Sequence, residues 1–533
     1  MSYTQAIHEL NALAPELFTR PGVPRRKFSL EEVRILLAAL HDPQRQFPSV
    51  LIAGTNGKGS TAATLASILA HSGLRTGLYT SPHLERPNER IRVSAPKITK
   101  QGPANPDLSS QEITDADFGL HYFAVKAAAS RLVQSGSLGQ PPSFFEILTA
   151  MAFLHFAAAH VDVAVLEVGM GGRLDATNVV DPLISVITDI SLDHTEWLGD
   201  SISAIAREKA GILRPNGILV TLPQHPEANQ AIGEVATDLE VRGVPATPYM
   251  PIIGAAAGHP YAVEALGDTI EVASPLAGAH QQRNVALAIA AAVELAQQGF
   301  PISAASIEAG IRSTQWPGRL ERIQIGATKW ILDVAHNPAG AWALRAGLRD
   351  ILTADPATDP AADPATDPAS DRAPTLIFSC LRDKPLPEMA QILFPLFSRV
   401  IFAPIASPRA ASIADLAAAA EATGTPHFEA KSVAEALQLA ERGSPVPSPS
   451  LTQTERVAPA PSPSATKAIE VAPVSRPAVA GISGSPQEEP SLIVISGSVY
   501  LVGEARGLLK SNQLASTSAQ PASPSTQRAG TAP

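Results

Sequence analysis

The stretch Gly54-Thr-Asn-Gly-Lys-Gly-Ser60 closes an apolar run, Leu51-Ile-Ala53, with a glycine-rich turn that carries one lysine and ends in a hydroxyl. Such a turn can cradle an anion. Glycines let the backbone N–H groups of Gly54 to Ser60 point inward around a phosphate, and Lys58 can reach its terminal oxygens. Ser60 can offer its hydroxyl to Mg²⁺, and Thr61 to Ala70 supplies a helix N-terminus. Only Thr55 and Asn56 stand between the first glycine and the Gly-Lys pair, where the general phosphate loop has four residues. A tight strand-to-helix connection is the competing interpretation, and the lysine weighs against it.

Three further residues stand where chemistry collects. Ser81 follows the short apolar run Gly77 to Thr80, Glu167 nearly ends Val161 to Val168, and His194 lies in the loop after Leu183 to Thr188. Singly, each has a plain explanation: a turn residue before Pro82, a surface carboxylate, a satisfied loop histidine. In a parallel sheet, however, loops that follow strands gather at one edge. A hydroxyl, a carboxylate and an imidazole meeting there could hold a second Mg²⁺ beyond the one expected at Ser60, although histidine is an unusual ligand for so hard an ion.

The elements that must position these residues are legible in outline. Ser29-Leu-Glu-Glu32 is a capping-box pattern opening a helix that His41-Asp-Pro43 ends, ahead of a strand at Val50 to Ala53. Strand, phosphate-loop helix and strand then form a βαβ unit. Helices are expected over Asp115 to Gln134, from a second capping box at Ser143-Phe-Phe-Glu146 to about Ala159, over Ser201 to Leu213 and over His280 to Gln298. Ser94 to Ser110 reads as an excursion. Thr314-Gln-Trp-Pro-Gly-Arg319 breaks the helical pattern and is the expected domain boundary.

Beyond it, strands at Lys329 to Val334, Thr375 to Cys380, Val400 to Ala403 and Leu492 to Ser496 alternate with helical patterns. The fold class that follows is α/β: a large N-terminal phosphate-loop domain with a mostly parallel sheet over residues 1–314, and a smaller Rossmann-like α/β domain over 315–510. Asp-Pro-Ala-Thr repeats near 353–374 and a Pro/Ser/Ala-rich run at 443–490 are expected to be disordered inserts, and 511–533 a polar, disordered tail.

Composition narrows the function. A formal charge of −10 and pI near 5.7 argue against a nucleic-acid surface. Cys380 is the only cysteine of 533 residues, which excludes internal disulfides and multi-cysteine metal sites, and its apolar surroundings suggest a buried thiol. Neither a signal peptide nor a membrane-spanning run is apparent, so a cytoplasmic protein with no membrane or nucleic-acid partner is expected.

The motifs taken together resemble a known family. Gly54-Thr-Asn-Gly-Lys-Gly-Ser60, Thr80-Ser-Pro-His-Leu84, Glu89-Arg-Ile-Arg92, Phe144-Phe-Glu-Ile-Leu-Thr149, Glu167-Val-Gly-Met-Gly-Gly-Arg-Leu-Asp-Ala-Thr-Asn178 and Leu192-Asp-His-Thr195 are similar to those of the folylpolyglutamate synthase and dihydrofolate synthase family, which belongs to the Mur-ligase-like ATP-dependent amide ligases. The likeness continues through Arg207-Glu-Lys-Ala-Gly211, His280-Gln-Gln-Arg-Asn284, Trp316-Pro-Gly-Arg319 and Asp333-Val-Ala-His-Asn-Pro338. It spans about Phe28 to Ala440 and Leu492 to Arg506. Arg25-Arg-Lys-Phe28 replaces a Gly-Leu-rich segment common in the family, which puts that side of the pterin pocket in question.

The resemblance implies roles. Gly57, Lys58, Gly59 and Ser60 would hold the ATP phosphates, with Ser60, Ser81, Glu167 and His194 as ligands to two Mg²⁺ ions. Lys209 matches the family lysine that is carbamylated. Lys58, Lys209 and His194 would form the catalytic group. Asn284, Arg319, Asp333 and His336 match residues that contact the nucleotide, and Ser143, Phe145, Asp175 and Ala176 match positions lining the pterin-side pocket. The implied reaction joins L-glutamate to dihydropteroate or to reduced folates through an acyl phosphate, in a chain expected to be monomeric. A monofunctional form of either activity, a Mur-type amino-acid ligase and a non-catalytic ATP-binding module are the alternatives. The segment before Gly54 is too short for the nucleotide-sugar domain of a Mur ligase, and no metal or lysine position is missing, as a non-catalytic module would predict.

Overall fold

The computed structural model describes residues 2–13, 29–94, 97–99, 102–104, 112–252, 259–353, 374–442 and 492–518. The expected inserts fall almost wholly outside these residues, as does Arg25-Arg-Lys-Phe28. Strands β1 (Ser49–Ala53), β2 (Thr76–Tyr79) and β3 (Ile91–Ser94) are followed by a hairpin, β4 (Lys97–Thr99) and β5 (Gly102–Ala104), where the excursion was expected. Next come β6 (Val163–Glu167), β7 (Ile184–Ile187), β8 (Ile218–Thr221) and β9 (Arg242–Pro245). The first sheet runs β3-β2-β6-β1-β7-β8-β9. Only the β2–β3 pairing in it is antiparallel.

β1 explains why this sheet is central. Val50 and Ile52 pack on one face against the phosphate-loop helix Lys58–His71 and helix Ala279–Gln297, while Leu51 and Ala53 pack on the other against helix Phe144–Ala158. All five residues of the strand are buried, as expected of a parallel strand covered on both faces.

A small hairpin, β10 (Tyr261–Ala265) and β11 (Asp268–Val272), precedes the second sheet. That sheet comprises β12 (Glu321–Ile325), β13 (Thr328–Leu332), β14 (Thr375–Phe378), β15 (Arg399–Phe402), β16 (His427–Glu429) and β17 (Leu492–Ser496), in the order β12-β13-β17-β14-β15-β16. Only β12 is antiparallel. Thus β17, which follows the long Pro-rich run in sequence, lies between β13 and β14. Cys380 is buried beside this sheet, where burial pushes its thiol up to about 12.

Two local expectations are corrected. Ser29 precedes helix Leu30–Ala38 as expected, but its side chain makes no capping bond, whereas the box at Ser143 and Glu146 is formed in both directions. The last helix runs from Val499 to Ser518, past the point at 511 where a disordered tail was expected.

That last helix ties the two sheets together. Arg506 donates from Nε to both carboxylate oxygens of Glu321 at 2.9 Å and also reaches Glu85. At Gly503 the helix approaches the Leu84 carbonyl so closely that an added Cβ would stand 2.0 Å from its oxygen. Gly503→Ala must therefore push the helix away, and an overpacking loss of about 1–3 kcal/mol is expected in chemical denaturation.

Candidate active site

β1 delivers the chain into the glycine-rich loop, and the loop is shaped from behind by the residues after β7. The Thr55 and Asn56 amides donate to the Asp189 carbonyl at 2.8 and 3.1 Å. These two N–H groups therefore do not point inward, contrary to the expectation for the whole loop. The amides left free to face an anion are those of Gly57, Lys58, Gly59 and Ser60, where the helix begins. Gly57 has φ 89°, and an added Cβ would lie 2.2 Å from Asn284 Oδ1, so only glycine fits. Asn284 thus braces the cradle from helix Ala279–Gln297.

Two lysines converge on one carbonyl. Lys58 Nζ donates to the oxygens of Gly54 (3.0 Å) and Thr55 (3.2 Å), and Lys209 Nζ donates to Gly54 at 2.8 Å. Burial lowers the pKa of both. Lys58 is partly restored by Glu167 and Asp193, while Lys209, buried and facing the Lys58 charge, falls to about 7.

The strand ends β2, β6, β1 and β7 are neighbours, so the loops bearing Ser81, Glu167, Gly54–Ser60 and His194 do gather at one edge. Glu167 is 4% exposed; its Oε2 accepts the Ser81 amide at 3.0 Å, and its Oε1 takes no hydrogen bond among the described residues. Burial raises its pKa, opposed chiefly by Lys58. His194, in a left-handed conformation at φ 51°, is held neutral near neutral pH by burial, its pKa near 4.

A cleft of about 1100 Å³ opens between the carboxyl edges of the two sheets. It is lined by Gly59, Ser81, Glu167, His194, Arg319 and His336, and on the other wall by Ser143, Phe145, Asp175 and Ala176. Phe145 lies over Gly169 and 5.9 Å from the Tyr79 ring, so it is both core and wall. Asp175 accepts the amides of Thr177 and Met170, each at 3.0 Å, and burial raises its pKa. Lys58, Lys209, Ser60, Asn284 and Asp333 lie behind this lining. Asp333 accepts the amides of Leu320 and Ala335, each at 2.9 Å, and faces Arg319; burial raises the carboxyl and lowers the guanidinium.

Sequence reasoning assigned no role to Asp193, Asn337 or Lys384. Lys384 Nζ reaches Asp193 Oδ1 at 2.7 Å, and Asn337 Nδ2 donates at 3.1 Å both to Asp193 Oδ2 and to Asn56 Oδ1. Burial works to raise the Asp193 pKa, but His336, His194 and Lys384 around it hold the carboxylate well below its ordinary range. The signal was available. Lys384 lies in the loop after β14, as His194 lies in the loop after β7.

A phosphate loop on one parallel sheet, facing a second α/β unit across a charged cleft, defines a nucleotide-dependent two-domain enzyme. Residues 122–292 match the Mur ligase middle domain. The dihydrofolate synthase/folylpolyglutamate synthase of Mycobacterium tuberculosis is 34% identical over 431 residues, covering 79% of this chain and 81% of that one. The folylpolyglutamate synthase of Lacticaseibacillus casei is 34% identical over 421 residues, covering 77% and 87%. The chain belongs to the folylpolyglutamate synthase/dihydrofolate synthase family of ATP-dependent ligases. It spans 38% of the length of a Haloferax volcanii relative described as a probable bifunctional folylpolyglutamate synthase/dihydropteroate synthase, at 40% identity. Among solved structures, M. tuberculosis folylpolyglutamate synthase complexed with ADP and AMPPCP superposes with a TM-score of 0.72 at 30% identity, covering 95% of this chain and 99% of that one. Among the described residues no helix is long and apolar enough to cross a membrane.

Proposed function

We propose that this chain joins L-glutamate to dihydropteroate and also extends folylpolyglutamates, each time by way of an acyl phosphate. The observation that carries this is the shared cleft: Gly59 of the phosphate cradle, Glu167 and the Ser143–Phe145–Asp175–Ala176 wall all line it. An ATP γ-phosphate at Gly57–Ser60 is then within reach of an acid seated against that wall. The carboxylate oxygen attacks the γ-phosphorus as ADP leaves, and glutamate's amine then displaces phosphate from the acyl carbon. Lys58 offsets the repulsion between two anions. Asn284, Arg319, Asp333 and His336 serve the nucleotide, and residues 315–510 form the second domain, whose contact across the cleft excludes water from the acyl phosphate.

The donor set suits Mg²⁺. Among the described residues there is no cage of three or more His, Cys, Asp or Glu, and Mg²⁺ is ordinarily held by one or two carboxylates together with waters and substrate phosphates. Glu167, buried with one oxygen undonated, and the hydroxyls of Ser60 and Ser81 provide that; His194, being neutral, keeps a lone pair available. Bound there, the ions supply charge neutralisation of the phosphates. The chain is expected to act as a monomer in the cytoplasm, on small-molecule substrates. Phosphate release measured with L-glutamate and either dihydropteroate or tetrahydrofolate tests the function; activity with one acid alone would refute the bifunctional form.

Lys209 is proposed to be carbamylated. Its amine is buried beside the Lys58 charge, which disfavours a second cation, and a carbamate nitrogen would keep an N–H for the Gly54 carbonyl. A pKa near 7 leaves much of the amine neutral and nucleophilic at neutral pH. Removing bicarbonate from the assay should lower kcat on the order of 10²-fold, the cost of one charge-stabilising group, and restoring it should recover the rate. Lys209→Met should be slow and indifferent to bicarbonate.

A further inference from the structure

Arg92 on β3 is only 8% exposed, yet its guanidinium is incompletely satisfied. Nε donates to the Glu89 carbonyl at 2.9 Å, while neither terminal amino group makes a hydrogen bond or ion pair among the described residues. The nearby acids act on Arg92 only at longer range. Glu89 accepts the amides of Leu84, Glu85 and Arg86 at 2.8–2.9 Å, and Glu112, whose charge acts on Arg92 more strongly than on Arg86, makes its ion pair with Arg86 at 3.6 Å. Burying a guanidinium whose terminal amino groups have no acceptor is costly, so such a group points to an anion supplied from outside the chain.

Its placement narrows the anion. The guanidinium lies 5.5 Å from the centroid of the Trp316 ring, which holds it in position and leaves its outer edge open. Trp316 in turn packs on Gly59: an added Cβ there would stand 2.9 Å from the indole. Arg92, Trp316 and Gly59 all line the cleft, so Arg92 is one indole away from the phosphate cradle. The carboxylate to be phosphorylated must approach that cradle. A glutamyl group brings a second carboxylate close to the reacting one or to the reacting amine; the pteroate acid brings none.

We propose that Arg92, aligned by Trp316, binds the non-reacting carboxylate of a glutamyl group through its two terminal amino groups, the paired geometry that suits a planar guanidinium. The source is either the terminal glutamate of a folate or the incoming L-glutamate. In the first case Arg92 distinguishes a glutamylated folate from a bare pteroate; in the second it orients the attacking amino acid with either. This rests on the ligase function proposed above for the same cleft.

The test uses the full chain with Arg92→Met and Arg92→Lys, varying dihydropteroate, tetrahydrofolate and L-glutamate in turn. Loss of a charged hydrogen-bonded contact is expected to raise the relevant KM about 10- to 100-fold in Arg92→Met, more than kcat falls, with Arg92→Lys recovering part. A rise confined to tetrahydrofolate assigns the folate's glutamate; a rise for L-glutamate with both acids assigns the incoming amino acid. If Arg92→Met does not fold, Arg92→Lys and Trp316→Phe must show the same selective rise in KM. Unchanged KM values in a folded, active variant would overturn the inference, and so would equal losses with every substrate. No ligation by the unaltered protein would instead refute the function itself.

Discussion

Lys58→Met is expected to lower kcat by about 10²–10³-fold, the usual cost of removing one preorganised charge from a transition state. The side chain is buried, and its ammonium is kept on two carbonyl oxygens of its own loop and in the field of Glu167 and Asp193. It starts the phosphate-loop helix, and in the function proposed above its charge would face the γ-phosphate. Burial disfavours that charge in the folded chain, and a methionine there should leave the melting temperature unchanged or higher. A slow, stable variant in single-turnover phosphate release and thermal melting is therefore the expected result. Normal phosphate release would mean that the cradle amides alone neutralise the phosphates.

Lys384→Met should have the next largest effect, acting on the contact between the two sheets. Asp193 and Lys384 are 9% and 4% exposed, 2.7 Å apart, and 191 positions apart in sequence. Removing one partner of a buried ion pair typically costs about 3–5 kcal/mol, because the remaining charge stays buried without compensation. Here the chain has an alternative, which is to let the two faces separate and hydrate Asp193. Faster hydrogen exchange on both walls of the cleft and a large fall in kcat/KM are expected. Asp193→Asn combined with Lys384→Met should lose less than the two single losses added together. The Asp193 carboxylate is held below its ordinary range, so its contribution is complete above pH ~4 and fades only as pH falls through its lowered value. Domain contact that persists unaltered in Lys384→Met would show that Arg506 and Asn337 suffice.

The sequence pointed to this candidate site through one regularity: polar residues at or just after the ends of apolar strands. Ser81, Glu167 and His194 satisfied it, and the parallel order β2-β6-β1-β7 brings their loops together. Helix limits were legible where caps and apolar spacing agreed, as over Asp115–Gln134. They failed where a single feature was trusted. Ser29 has the residue type of a cap without the bond, and the polar composition after Lys510 did not stop a helix anchored upstream by Gly503 and Arg506.

The short phosphate loop shows where the division falls. By itself the sequence marked Gly54–Ser60 as a candidate anion cradle with Lys58 and Ser60 in it, because glycine spacing, a lysine and a following helix are local properties. Tertiary structure alone decided which amides remain free, since the Asp189 carbonyl, more than 130 residues away, takes those of Thr55 and Asn56. Likewise it decided that Arg92 would be buried with no acceptor for its terminal amino groups among the described residues, and that Lys384 would meet Asp193. Hydrogen bonding and desolvation depend on which groups the fold brings within a few ångströms, and neither composition nor spacing records that distance.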